Sequence, residues 1–146
     1  MNIGIFGDSF AADCGPGSWV TMLGNEHTVE CHAHGGTSLF HCYQTMLRTD
    51  LSAYDIVIVS VTNYGRLYGG YENDIHKPHL SGIETAMFHA KTAKGNDLDR
   101  LKAGIEYYSH LSQDDYNIYV HEKLLQDIIT MVNNKLIPVS YTHLTL

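Results

Sequence analysis

Several things are scarce in this chain, and each scarcity excludes something. No stretch of the 146 residues comes near the about eighteen consecutive apolar side chains a helix needs to cross a bilayer, so no membrane span is expected. Basic residues are few: nine Lys and Arg stand against sixteen Asp and Glu, for a net charge of -7. A nucleic-acid-binding face needs clustered cations to displace counterions, so no nucleic-acid partner is expected. Cysteine is limited to Cys14, Cys31 and Cys42, an odd number without CxxC spacing, which argues against a zinc or disulfide framework and for free thiols. A basic stretch followed by an apolar leader is missing before Ile3, and a cytoplasmic chain is the expectation. The loop after the first strand matches neither GxxxxGK[ST] nor GxGxxG, so no cofactor is expected.

What is present describes a globular domain. Hydrophobic residues make up 44% and charged residues 17%, proportions that support a packed core within one domain. Ile3–Phe6 is a short apolar run flanked by glycine, as in a strand covered on both faces. Gly15-Pro16-Gly17-Ser18 is a turn, with Ser18 placed to cap a helix through Leu23. From His27 to Ala33 the residues alternate, Val29, Cys31 and Ala33 against His32 and His34, which predicts a second strand. Leu39, Tyr43, Met46 and Leu47 predict a helix over Leu39–Leu51. Ile56-Val57-Ile58-Val59-Ser60-Val61 is β-branched without alternation, as in a central, doubly covered strand. Residues 64–95 form a long excursion rich in Gly, Tyr, His and Asn, with a helix at Ile83–Ala93. Asn96 or Asp97 caps a helix to Leu111, and Asp114 or Asp115 precedes another with Val120, Leu124, Ile128, Met131 and Val132 on its stripe. Leu136-Ile137-Pro138-Val139 begins a fourth strand. The alternation predicts an α/β fold: a parallel sheet with helices on both faces, in three layers.

In such sheets chemistry gathers outside the carboxyl ends of the strands. Gly7-Asp8-Ser9, Gly35-Gly36-Thr37 and Asn63 each follow a predicted strand directly, so all three converge on that edge. Acyl transfer needs a nucleophile and donors aimed at the developing oxyanion. Ser9 can supply the hydroxyl and a backbone N–H, a glycine of the second loop another N–H, and Asn63 a side-chain amide. Each also has a plainer role. Ser9 could cap the following turn, Gly35 and Gly36 could serve a turn needing positive φ, and Asn63 could be a strand-ending turn residue. Asp8 is read as fixing its turn through hydrogen bonds.

With these blocks in this order the sequence resembles the SGNH (GDSL-type) hydrolases, a family of esterases, lipases, acylhydrolases and carbohydrate deacetylases. The resemblance runs over residues 1–65 by motif and over the remainder by element order. It implies a flavodoxin-like three-layer α/β/α fold and a serine acyl-enzyme mechanism. Ser9 then matches the nucleophile, Gly35 the second-block glycine, with Gly36 as the one-residue alternative, and Asn63 the third-block amide. The substrate implied is a small-molecule or glycan ester, such as a carbohydrate O-acyl group. Val61 stands where the family usually has Gly, and Tyr64 where Asp often follows.

The family's fourth block, Asp-x-x-His, does not occur among the ten histidines. Asp74-Ile75-His76 has the wrong spacing, and His121 falls inside a predicted helix, where a surface position is expected. The expectation is a domain spanning residues 1–139 that is incomplete at its C-terminus and inactive for want of a base. Ser140–Leu146 resembles an adaptor-derived string of the kind that ends truncated metagenomic sequences. Cys31, His32, His34, His41 and Cys42 invite a metal reading. Cys31 points away from His32 and His34, however, and no carboxylate completes a set. The competing functional reading is a non-catalytic α/β module holding a phosphate- or nucleotide-like ligand at the strand ends. A non-catalytic member of the same family is a third, with Val61 as its sequence hint.

Overall fold

The structure, a computed structural model, describes residues 1–12, 15–66 and 83–132, and the backbone of 136–139. Strands β1 (Asn2–Phe6), β2 (Thr28–Cys31), β3 (Ile56–Ser60) and β4 (Leu136–Val139) pair in parallel in the order β2-β1-β3-β4. The chain leaves β1 towards β2, then crosses back over β1 to reach β3. That reversal is the doubly wound arrangement, with its switch point between β1 and β3. The helices are α1 (Trp19–Gly24), α2 (Leu39–Arg48), α3 (Ile83–Ala90), α4 (Asn96–His110) and α5 (Asp114–Val132).

Alternation along each central strand divides the core in two. Ile3 and Ile5 join Ala11, Val20 and Ala33 under α1, with Val29, Cys31, Ile56 and Ile58 packed against them. Phe6, Val57 and Val59 face the other way, onto Leu39, Cys42 and Met46 of α2 and Ile128 and Val132 of α5. Both faces are therefore covered, as the uninterrupted apolar run of β3 requires. The α/β class expected from the sequence is the one observed. The helices α3 and α4 pack on one another through Ala86 and Leu101.

Several boundaries differ from expectation, each for a local reason. The helix α2 stops at Arg48 because Thr49 is extended and the Asp50 side chain caps a new 3-10 turn, accepting from Ser52 N at 3.0 Å. The paired part of β2 ends at Cys31, although His32 N still donates to Ile5 O at 2.7 Å and His34 N to Gly7 O at 3.1 Å. The cap of α4 is Gly95 (φ 57°), not Asn96 or Asp97, and Asp97 and Asp99 lie in the first turn. There their charge favours the positive end of the helix dipole. Ser18 caps α1 as its position predicts, accepting from Thr21 N at 3.1 Å. Among the described residues no helix is long and apolar enough to cross a membrane. Residues 67–82, with Tyr68, Tyr71, Asp74 and His76, lie outside the described residues, as do Cys14 and the tail 140–146.

Candidate active site at the carboxyl ends of the strands

The loop after β1 turns sharply at Gly7, whose φ is +146°. A Cβ there would lie 2.7 Å from both Cβ and O of Ser60, so only glycine lets β1 and β3 run this close at their ends. Asp8 follows and turns inward to 2% exposure, which leaves Ser9 outward and exposed. Asp8 Oδ1 accepts from Phe10 N at 3.1 Å, and its carbonyl accepts from Ala11 N and Ala12 N. The expectation that Asp8 fixes this turn through hydrogen bonds is met.

Asp8 also binds the neighbouring strand. Its Oδ2 accepts from Thr62 Oγ1 at 2.9 Å and pairs with Arg66 Nη1 at 2.9 Å, while Ser60 Oγ lies 3.5 Å from Oδ1. A buried carboxylate needs such partners, since desolvating an unpaired charge is costly. The Arg66 Nη1 additionally donates to Thr37 O at 3.3 Å. Burial chiefly, and the Asp8 charge secondly, push the nearby Cys42 thiol up to about 12. Cys42 is therefore a packed thiol and no nucleophile.

In the second loop, Gly36 takes the left-handed conformation (φ +71°), and Gly35 lies beside Ser9. A Cβ on Gly35 would meet Ser9 Cβ at 3.8 Å, an ordinary contact. Thr37 Oγ1 closes the turn on His34 O at 2.8 Å. In the third loop, Asn63 is exposed and its Oδ1 accepts from Gly65 N at 2.7 Å. This Asx turn fixes the carboxamide plane and leaves Nδ2 as its donor end. Gly35 thus lies next to Ser9, with room between them for no more than a methyl group, and Asn63 is joined to the Ser9 loop through Thr62 and Asp8.

Four further side chains shape this edge: Thr62, Arg66 and Tyr108, which the sequence reading did not single out, and His121, which it placed at the surface. Thr62 and Arg66 bind Asp8; Tyr108 Oη of α4 donates to Gly65 O at 2.9 Å; His121 Nε2 of α5 donates to Thr62 O at 2.8 Å. The position of His121 corrects the surface placement expected for it: the ring is part-buried against the end of β3. The signal for Arg66 was its isolation. It is the one cation between Arg48 and Lys77, close behind Asn63, where a buried Asp8 would need a partner.

The residues of the metal reading are dispersed. Cys31 Sγ donates to Ala11 O, His32 stacks on Phe6 at 4.7 Å, and His34 meets the His41 ring at 5.7 Å. Cys31 and Cys42 are free thiols. Among the described residues no three His, Cys, Asp or Glu side chains come together as a cation site requires.

No family model matches the sequence, and no curated protein is significantly similar to it. Among solved structures, an acetyl xylan esterase aligns with a TM-score of 0.41 and 15% identity, over 94% of this chain and 77% of that one.

Proposed function

We propose that this protein is a serine ester hydrolase of the SGNH type, with Ser9 as nucleophile. The observation that carries the reading is that Ser9, after β1, and Gly35, after β2, lie side by side, so that a Cβ on the glycine would be 3.8 Å from Ser9 Cβ. The loop that presents Asn63 follows β3 on the other side of β1. In the proposed reaction Ser9 Oγ adds to an ester carbonyl carbon and gives up its proton. The carbonyl oxygen becomes an oxyanion facing the N–H groups of Ser9 and Gly35 and the Asn63 Nδ2. Collapse expels the alcohol and leaves an acyl-Ser9 ester, which water then cleaves. A small acyl ester, including an O-acetyl group on a glycan, is the substrate class proposed. The sequence has no Asp-x-x-His to act as base, so no residue is assigned that role and imidazole supplies it in the test.

The test is labelling by a fluorophosphonate probe, with and without imidazole, followed by peptide mapping. The expected adduct is on Ser9, forms faster with imidazole, and is lost in Ser9→Ala. Asn63→Ala is expected to slow it by about 10²- to 10³-fold, the usual effect of removing one oxyanion donor. Labelling that survives Ser9→Ala, or that never reaches Ser9 in either condition, sinks the reading.

A further inference from the structure

The three loops that would form the site are separate in sequence, and each rises from a different strand. One residue touches all of them. The Arg66 Nη1 pairs with Asp8 Oδ2 at 2.9 Å in the first loop and donates to Thr37 O at 3.3 Å in the second. Arg66 itself belongs to the third, its N donating to Asn63 O at 3.3 Å. The pair is shielded from water, with Arg66 15% and Asp8 2% exposed at the side chain. Its partners are sequence neighbours of the proposed machinery: Asp8 precedes Ser9, Thr37 follows the Gly35-Gly36 turn, and Asn63 lies in the same turn as Arg66.

We propose that Arg66 is a positioning residue that holds the nucleophile loop, the glycine loop and the amide loop in one register. This rests on the esterase reading above. Asp8 joins the first loop to the third through Thr62 Oγ1 at 2.9 Å, and Gly7 O joins the first to the second, accepting from His34 N at 3.1 Å and from Thr37 Oγ1 at 3.4 Å. Arg66 adds a bond from the third loop to Thr37 O and so ties the second loop to the third and to Asp8, which fixes the Gly35 N–H relative to both Ser9 and Asn63. A donor displaced by a fraction of an ångström loses the alignment on which oxyanion stabilisation depends. Arg66 does not need to touch substrate for this effect.

The experiment compares R66M, R66K and D8N/R66M with the unmodified chain, by Ser9 labelling rate, thermal midpoint and amide NMR. R66M is expected to slow labelling by about 10²-fold, with partial recovery on adding methylguanidinium. R66K is expected to regain most of the rate, because one ammonium carries donors enough for both contacts. The double variant removes the buried charge pair together, so it regains thermal stability while staying slow. Independently of any chemistry, R66M should shift the Gly35 amide and the Asn63 side-chain amide along with Ser9. Labelling at the unmodified rate in R66M or D8N/R66M overturns the proposal, as do NMR shifts confined to residues 8 and 66. An unmodified chain that never labels at Ser9 defeats the esterase reading instead, and the amide shifts still decide whether Arg66 registers the loops.

Discussion

Asp8 and Tyr54 each anchor a polar cluster on the same sheet, at the ends of β1 and β3 in one case and across to β2 in the other. Asp8 is enclosed: its carboxylate is held by a backbone N–H, Thr62 and Arg66, with Ser60 at the edge of reach. The Tyr54 ring is equally buried, but its Oη donates to Glu30 Oε2 at 2.7 Å, and that glutamate side chain is 63% exposed. His32 Nε2 lies 2.8 Å from the same hydroxyl. One cluster therefore carries its charge in the interior, where screening is weak, and the other hands its charge to solvent. The difference teaches where polar groups hold a site and where they tie down an edge. The Asp8 cluster joins the loops after β1, β2 and β3, through Asp8, Thr37 O and Thr62 with Arg66.

The largest effect should come from Asp8→Ala, which strands the Arg66 guanidinium in a part-buried site. A loss of about 3–5 kcal/mol in urea unfolding is expected, against less than about 1 kcal/mol for Glu30→Gln at the exposed cluster. Equal losses would break the contrast. Next is Gly4→Ala. Its Cβ would fall 2.7 Å from the Tyr54 ring, and overpacking of that kind costs about 1–3 kcal/mol by the same titration. A neutral Gly4→Ala would show that Tyr54 is not held down by its hydrogen bonds.

The smallest effect is a pH dependence, to which the Tyr54 cluster contributes on both sides of neutrality and the buried Cys42 thiol on the alkaline side. Burial first, then the hydrogen bond and charge of Glu30 and the charge of Asp50, raise the Tyr54 hydroxyl from 10.0 to about 12. The native state then keeps a proton that the unfolded chain has lost. Its contribution is full below pH 10 and declines as pH rises towards 12. His32 is shifted down from 6.5, chiefly by burial, with His34 adding to the shift and Glu30 opposing it. That contribution is full above pH 6.5 and fades as pH falls below it. Thermal midpoints across pH should show both slopes, with Tyr54→Phe reducing the alkaline one to the part that the Cys42 thiol, raised from 9.0 to about 12, contributes. An alkaline slope unchanged in Tyr54→Phe would contradict the assignment.

The fold was legible because the strands carry it themselves. Ile56–Ser60 is too apolar on both faces to be anything but a covered central strand, and Ser18 marks its helix start by ordinary capping. What could not be read was where side chains close across the strand ends. Arg66 meets Asp8 because β1 and β3 are neighbours, a fact of strand order that local sequence does not encode. His121 reaches Thr62 because α5 packs back on the sheet through Ile128 and Val132. Its helical position alone suggested only a surface. Ser9 and Gly35 were legible as strand-end residues, and their proximity follows from the pairing of β1 with β2.

The central claim is that Ser9 carries an acyl group, and trapping that group tests it most directly. The protein would be mixed with p-nitrophenyl acetate and imidazole, quenched in acid within the first turnover, and its peptides mapped by mass. The account predicts one acetyl group on the peptide containing Ser9, absent from Ser9→Ala and diminished in Asn63→Ala. Acetyl groups found only on lysines, or ester cleavage undiminished in Ser9→Ala, would contradict it.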